Sequence, residues 1–321
     1  MSKAFAAVLA VASLACSSQL HAQTFPSRPV RFIIPFAPGG PTDILGRLAA
    51  AQLATAWGVG VIVDNRAGAS GTLGADLCAK SPPDGHTLCI MSVAQAIAPS
   101  LSRNVPFDPV KDFAHVRLIA TLPSLLLVHP SLPVRNVGDL LALAKARPGA
   151  LSYASSGSGS SSHMLMELLK LSGNVNLVHI PYKGTGPALI DQVSGQVEVG
   201  FAAIVAALPH AQAGKLRTLA VSTRERFPQL PTVPTIDEAG LKGFDAGSWL
   251  GVAAPAATPR EIVDRINLDL AKAFEAAGLR EKVLQLGGTS MHGTPQEFSA
   301  FVRSETAKWA KVVSVAGIRA E

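Results

Sequence analysis

Two short segments of the chain combine small side chains with a position just before a predicted helix. The first is Pro38-Gly39-Gly40, after the mostly apolar residues 30–36, and the second is Ser156-Gly157-Ser158-Gly159-Ser160, after residues 151–154. A strand-to-helix turn of this kind leaves backbone N–H groups unpaired at the positive end of the helix dipole. Such turns bind anions, so we predict that both segments contact a negatively charged small molecule.

Sharper motifs for other chemistries do not occur in these segments. Each one, taken alone, is also consistent with a tight turn that binds nothing. Neither matches G-x-G-x-x-G or G-x-x-x-x-G-K-[ST], so dinucleotide and P-loop binding lack support. The run Gly157-Ser158-Gly159-Ser160-Ser161 is not the G-x-S-x-G nucleophile elbow. A hydrolase using a serine of residues 155–162 with His163 lacks an identifiable acid partner, and we predict that the protein is not an enzyme.

Three further side chains border the two segments. Asp43 is either a helix-capping acid or a neighbour of the first anion site. His163 is either an ordinary helix residue or a brace behind the serine-rich segment. Lys183, in a glycine-flanked turn, either meets an anion or is solvated.

The elements that must position these residues alternate between short apolar runs and helical patterns. This alternation predicts β-α units and mostly parallel sheets. The apolar run 122–128 ends at prolines, and residues 248–253 form a strand that carries the chain back. We therefore predict two lobes, with residues 23–128 plus 246–321 in lobe 1 and residues 129–245 in lobe 2.

Composition agrees with two folded lobes and argues against nucleic-acid binding. The chain has 321 residues, 48% of them hydrophobic and 16% charged, with a formal net charge of +6. Roughly 150 residues per domain gives about two domains. Lysine and arginine are scattered singly, and aromatic residues make up only 5% of the chain, which disfavours both basic patches and base-stacking surfaces.

The first 22 residues have the pattern of a secretory signal peptide. Lys3 precedes the apolar run 4–16, and a polar stretch leads to a small residue at Ala22. Thirteen apolar residues are too few for a membrane span, which needs about twenty. The alternative is lipoprotein cleavage before Cys16, although Ser13 stands where a large aliphatic residue is usual. Cleavage near Ala22 predicts a periplasmic protein without stable membrane insertion of the mature chain, whereas cleavage before Cys16 predicts a periplasmic protein held at the membrane by a lipid anchor.

Export leaves Cys78 and Cys89 in a compartment that permits disulfides. The two cysteines flank the turn at residues 81–85. A disulfide across this turn and a pair of small buried thiols are both consistent with the sequence. The chain has no C-x-x-C motif and no closely spaced histidine pair, so we predict no metal and no cofactor.

Several sequence blocks, in this order, resemble the Bug-type substrate-binding receptors of tripartite tricarboxylate transporters. They are Ile33-Ile34-Pro35-Phe36-Ala37-Pro38-Gly39-Gly40-Pro41-Thr42-Asp43, Asp64-Asn65-Arg66-Ala67-Gly68-Ala69-Ser70-Gly71, Pro83-Asp84-Gly85-His86-Thr87-Leu88, Ser155-Ser156-Gly157-Ser158-Gly159-Ser160, Pro181-Tyr182-Lys183-Gly184 and Trp249-Leu250-Gly251-Val252-Ala253-Ala254-Pro255. The resemblance spans essentially the whole chain after the signal peptide. It implies a fold like that of type II periplasmic binding proteins, with two doubly wound α/β lobes joined by two crossovers around a ligand cleft.

The resemblance also implies a function and a set of binding residues. Such receptors close on a small carboxylate and deliver it to membrane transporter subunits. The implied binding residues are Ala37, Pro38, Gly39, Gly40, Asp43, Ser92 and Gln95 in lobe 1, and Ser156, Gly157, Ser158, Gly159, Ser160, His163, Tyr182, Lys183 and Ala202 in lobe 2.

One position departs from the pattern of the similar receptors. After Phe201, many of them have an aspartate, whereas this chain has Ala202. The loss of this acid disfavours recognition of an amino group and favours a ligand whose far end is apolar. An alternative partner for the closed receptor is a membrane sensor rather than a transporter.

Overall fold

Two separate β-sheets form the centres of two α/β lobes. The computed structural model describes residues 25–39, 41–182, 185–275 and 277–318, so the predicted signal peptide, Gly40 and Lys183 lie outside the described residues. The first sheet has the strand order β11-β4-β10-β3-β1-β2, and the second has the order β7-β6-β8-β5-β9. The two-lobed α/β prediction is confirmed.

The strands of the first sheet come from both ends of the chain. They are β1 (Val30–Ile34), β2 (Val61–Asn65), β3 (Thr87–Ser92), β4 (Phe113–Leu122), β10 (Ser248–Pro255) and β11 (Thr289–Ser290). Strand β1 pairs in parallel with β2 and β3, whereas β10 runs antiparallel between β3 and β4. All six residues of β3 are buried, as expected for a strand covered by helices on both faces.

The second sheet is continuous in sequence. Its strands are β5 (Ser124–Val128), β6 (Ser152–Ser155), β7 (Val178–Pro181), β8 (Val199–Ala203) and β9 (Arg217–Val221). Strand β6 is parallel to β7 and β8, and β5 is antiparallel to β8 and β9. The serine-rich segment therefore follows a strand, β6, that has a parallel neighbour on each side.

The described helices pack on both faces of the sheets. They are α1 (Pro41–Trp57), α2 (Thr72–Ala79), α3 (Val93–Leu101), α4 (Val137–Ala146), α5 (Ser161–Gly173), α6 (Thr185–Val193), α7 (Ile204–Gln212), α8 (Arg260–Glu275), α9 (Ala277–Gln285) and α10 (Pro295–Ala316). Helix α10 contacts α3 and β4 of the first lobe and also α5 of the second. In the described ranges, no helix has both the length and the apolar composition needed to cross a bilayer.

Two adjacent chain crossovers connect the lobes. Between β4 and β5 only Pro123 separates the two sheets, and Gly247 precedes β10 at the return crossover. A Cβ atom on Gly247 would lie 3.2 Å from the backbone oxygen of Leu122, so the crossovers are in close contact. Strand β5 pairs entirely in the second sheet, whereas the predicted boundary at residue 128 placed it in lobe 1. We therefore place the first crossover at Pro123.

A disulfide links α2 to β3. Cys78 and Cys89 are bonded across a Cα–Cα distance of 6.2 Å, and both residues are buried. Of the two alternatives open from the sequence, the structure has the disulfide. The bond closes the turn at residues 81–85 and attaches α2 to the central part of the first sheet.

We expect the double variant Cys78→Ala/Cys89→Ala to unfold with a free energy lower by about 3 kcal/mol. The disulfide spans a sequence separation of 11 residues, and a loop of this size restricts the unfolded chain by about that amount. Urea unfolding of the oxidised wild type and the variant measures the difference. Dithiothreitol should destabilise the wild type and leave the variant unchanged; equal stability of the two oxidised proteins would contradict the expectation.

Candidate functional site

Three helix N-termini face one cleft between the lobes. The cleft has a volume of about 390 Å³ and is lined by Phe36, Thr42, Ser70, Ser92, Val93, Ala94, Ile97, Ser156, Ser158, Gly159, Ser160, Ser161 and Ser248. Thr42 lies in the first turn of α1, Val93 begins α3, and Ser161 begins α5. The N-terminal first turns of these helices follow the carboxyl ends of β1, β3 and β6, where open α/β sheets bind ligands.

The start of α3 is held by a complete capping box. The Ser92 hydroxyl accepts a hydrogen bond from the Ala94 N–H at 3.3 Å. The Gln95 side-chain oxygen accepts from the Ser92 N–H and from the Ser92 hydroxyl, each at 2.8 Å. Ser92 lines the cleft, whereas Gln95 is 1% exposed and holds Ser92 in place from behind. Gly71, with a φ of +90°, lies against this amide: a Cβ there would be 2.5 Å from the Gln95 Nε2 atom.

Asp43 organises the glycine-containing segment of the first lobe. Its buried carboxylate accepts hydrogen bonds from the Gly39 N–H at 2.9 Å, the Asn65 amide at 2.9 Å and the Arg47 guanidinium at 3.0 Å. Burial alone would raise the pKa of Asp43, but the hydrogen bonds from Arg47, Gly39 and Asn65 outweigh it and lower the pKa. Asp43 is therefore an ionised clamp on the loop.

The hydrogen bond from Gly39 to Asp43 contradicts the predicted role of this segment of the first lobe as an anion site. The Gly39 N–H was expected to bind the anion, yet it is donated to Asp43. Ala37 and Pro38 are exposed and do not line the cleft. The contribution of this loop to the cleft comes instead from Phe36 and Thr42, on either side of it.

The serine-rich segment of the second lobe also satisfies most of its own N–H groups. Ser156 donates to the Ser162 hydroxyl at 2.9 Å, Gly157 to the Ser155 hydroxyl at 3.1 Å, and Gly159 to His163 Nδ1 at 3.0 Å. Both glycines have positive φ values, +125° and +74°, which the turn requires.

The part of the serine-rich region that faces the cleft is the first turn of α5. Ser160 is the N-cap, and its hydroxyl accepts from the His163 N–H at 3.3 Å. Among the described residues, the N–H groups of Ser161 and Ser162 have no acceptor. Helices α3 and α5 also have no acidic residue in their first turns, so the chain itself does not neutralise the positive ends of their dipoles.

A buried aromatic and ionic cluster supports the serine-rich segment from behind. The rings of His163 and His179 stack with centroids 4.0 Å apart, and Tyr153 stacks on His179 at 4.9 Å. The Glu167 carboxylate accepts from the Tyr153 hydroxyl at 2.5 Å and from Lys170 at 2.6 Å. His163 thus braces the segment, one of the two roles open from the sequence.

The histidines of this cluster are neutral near pH 7. Burial, together with the neighbouring His179 ring, lowers the pKa of His163 to about 4. Burial also lowers the pKa of His179. A neutral ring is required because the His163 Nδ1 atom accepts the Gly159 N–H.

Three other predicted residues, Tyr182, Ala202 and Gly157, do not line the cleft. The Tyr182 hydroxyl donates to Asp191 at 2.8 Å, and burial and this carboxylate raise the pKa of Tyr182 to about 12. Ala202 is buried and borders a separate cavity of about 10 Å³ beside Ser156 and Ser162.

Eight of the lining residues were not predicted from the sequence as binding residues: Phe36, Thr42, Ser70, Val93, Ala94, Ile97, Ser161 and Ser248. Phe36, Thr42 and Ser70 belong to sequence blocks that resemble the family, and nothing else in the sequence indicated that they line a binding site. Ser70 has an unusual left-handed conformation, with a φ of +54°. Ser248 lies at the start of β10, and nothing in its local sequence indicates proximity to the cleft.

Comparisons with known proteins agree on one family. The profile described as "Tripartite tricarboxylate transporter family receptor" matches residues 45–318. Protein BugT of Bordetella pertussis is 35% identical over 311 residues, covering 96% of this chain and 95% of BugT.

Solved structures with bound ligands are similar along nearly the whole chain. An R. palustris protein solved with adipate has 40% identity and a TM-score of 0.76, covering 92% of this chain and 99% of its own. MatC from Rhodopseudomonas palustris, solved with bound malate, has 35% identity and a TM-score of 0.73, covering 90% of this chain and all of its own.

We expect the stability of the protein to fall between pH 6.5 and pH 4 because of His163. A histidine whose pKa is lowered in the folded state binds fewer protons than the unfolded chain does, so acid favours unfolding in this range and has no such effect above it. Each pKa unit corresponds to about 1.4 kcal/mol, which gives up to about 3 kcal/mol for His163.

The variant His163→Asn tests this expectation. Its side-chain oxygen can accept the Gly159 N–H, as Nδ1 does, but it does not titrate. Urea unfolding at pH 7.5 and pH 4.5 should show a smaller loss of stability in the variant than in the wild type. An identical loss in both proteins would assign the acid sensitivity to other groups.

Proposed function

The chain belongs to the tripartite tricarboxylate transporter receptor family, and from this we propose that it is an exported periplasmic receptor for a small carboxylate. It captures the carboxylate between its two lobes and delivers it to the membrane subunits of a transporter. Export follows from the signal-peptide pattern of residues 1–22.

The convergence of the N-termini of α3 and α5 on one cleft, which Thr42 of α1 also lines, is the observation that carries the proposal. Of the thirteen described residues that line the cleft, none has a charged side chain, and eight are serine or threonine. Recognition of a negative charge therefore depends on helix dipoles, first-turn N–H groups and hydroxyls. This set of donors suits a carboxylate, which accepts several hydrogen bonds in fixed directions.

The number of donors is sufficient for useful affinity. A hydrogen bond to a charged group contributes about 1.5–3 kcal/mol, so three or four contribute roughly 5–12 kcal/mol before the cost of ordering. A dissociation constant of 1 μM corresponds to about 8 kcal/mol. The cleft needs no metal ion to reach that range.

A dicarboxylate without an amino group is the favoured ligand class. Adipate and malate, found in the two similar structures, both belong to this class. None of the described residues that line the cleft has a carboxylate that could pair with an ammonium group, which supports the choice. The lobes close on the ligand by bending at Pro123 and Gly247, where the chain crosses between the sheets.

We propose binding without covalent chemistry, although one serine lies next to a histidine. The Ser155 hydroxyl is 2.6 Å from His179 Nε2. Ser155 is only 1% exposed, and its hydroxyl is also hydrogen-bonded to the backbone of Gly157. This pair supports the turn from inside the lobe and does not line the cleft.

We expect Ser161→Asp to abolish adipate binding without loss of stability. The new carboxylate lies at the N-terminus of α5, where a negative charge stabilises a helix by about 0.3–1 kcal/mol, but it repels a bound carboxylate and competes for the same donors. The neutral isostere Ser161→Asn is the matched control and should retain binding within about threefold.

Isothermal titration with adipate and with its uncharged diamide, together with thermal unfolding, checks this expectation. Wild type and Ser161→Asn should bind adipate at micromolar concentrations and the diamide at least a hundredfold more weakly. Equal affinity of the wild type for the diamide, or unchanged adipate binding by a folded Ser161→Asp variant, would contradict anion recognition at this helix.

A further inference from the structure

A second, larger cavity lies against both crossovers. It has a volume of about 550 Å³, and its lining includes Thr121 and Pro123 from the first crossover and Gly247 and Ser248 from the second. We call it the hinge cavity. Ser248 lines both the hinge cavity and the carboxylate cleft, so one residue of β10 separates the two spaces.

The inner surface of the hinge cavity is mainly apolar and aromatic. Phe227 comes from the second lobe, and Trp249, Met291 and Phe301 come from the first. The Trp249 indole N–H donates to Glu305 at 3.0 Å, so its polar atom is already satisfied. Trp249 and Phe301 are in edge-to-face contact, with centroids 5.4 Å apart. Trp249 and Phe227 are only 1% exposed, so the half-buried Met291 and Phe301 provide most of the apolar surface that an aromatic ring could contact.

The charged residues around the hinge cavity balance one another. Three cations (Arg224, Arg226 and Lys308) and three acids (Glu225, Asp245 and Glu305) line it. Arg226 pairs with Glu238 at 2.8 Å, and Lys308 pairs with Glu305. The lining therefore has no net charge, in contrast to the positive helix ends of the carboxylate cleft.

We propose that the hinge cavity is a second binding site, which accepts an uncharged molecule with an aromatic ring system. Its volume lies within the range of about 300–1,000 Å³ typical of small-molecule sites. Apolar walls drive binding, and the balanced charges give no advantage to an anion. This site is separate from the carboxylate cleft and goes beyond the proposed receptor function.

The test uses the neutral fluorophore N-phenyl-1-naphthylamine and the variant Ser304→Phe. Ser304 is an exposed residue of α10 that lines the hinge cavity, so a phenyl ring there fills the cavity from the helix surface. Ser314→Phe is the matched control, because Ser314 is exposed on the same helix and is not among the lining residues.

Fluorescence titration should show one N-phenyl-1-naphthylamine per chain for wild type and Ser314→Phe, with at least tenfold weaker binding to Ser304→Phe. The sulfonated analogue 1-anilinonaphthalene-8-sulfonate should bind the wild type at least tenfold more weakly than the neutral compound. Equal binding of the neutral probe to Ser304→Phe and wild type, no binding to the wild type, or preference for the sulfonate would overturn the proposal.

Two further measurements separate loss of the hinge cavity from misfolding of one variant and from loss of carboxylate binding. Thr223→Phe fills the cavity from the second lobe and should weaken probe binding as well, which makes the test independent of one variant's folding. Adipate titration of Ser304→Phe should match the wild type, because the carboxylate cleft does not include Ser304. Failure of the wild type to bind adipate would count against a dicarboxylate ligand for the carboxylate cleft and not against the hinge cavity.

Discussion

The unpaired N–H groups at the first turns of helices impose the main constraint on this molecule. A helix cannot satisfy these groups from within, so each buried or half-buried helix start needs a partner. At α3 the Ser92 and Gln95 side chains accept some of these hydrogen bonds, and at α5 the Ser160 side chain accepts one. The remaining donors open onto one cleft, and the surrounding sheets hold them in place. The two lobes can be understood as supports for these helix ends.

The sequence predicted where these helices begin but not which donors remain free. The glycine and serine segments were placed correctly after β1 and β6, because local residue types determine strand-to-helix turns. The Gly39 N–H was assigned wrongly, since its partner Asp43 is fixed by contacts with Arg47 and Asn65 from a different strand and helix turn. Strand β5 was assigned to the wrong lobe for a related reason: an apolar run shows that a strand is buried, but not which sheet pairs with it.

The rigidity of the serine-rich segment comes from residues that no ligand contacts. Tyr153, His163, His179 and Glu167 form a continuous stack and hydrogen-bonded group beneath it. A cluster of polar groups in a lobe interior is stable only when nearly all of its members are paired, and here they are paired with one another or with the backbone of the segment. The sequence showed the spacing of His163 from the glycines, but the partner His179 arrives from a separate strand, β7.

The position of β10 makes the first sheet depend on the far end of the chain. The second sheet uses only residues 124–221, so it can form as soon as that stretch is available. The first sheet has a gap between β3 and β4 that is filled only by residues 248–255, near the far end of the chain. We therefore expect a chain that emerges amino end first to complete its second lobe before its first. Until β10 inserts, β3 and β4 each have an unpaired strand edge on the side that β10 later fills, and such edges can pair with other chains.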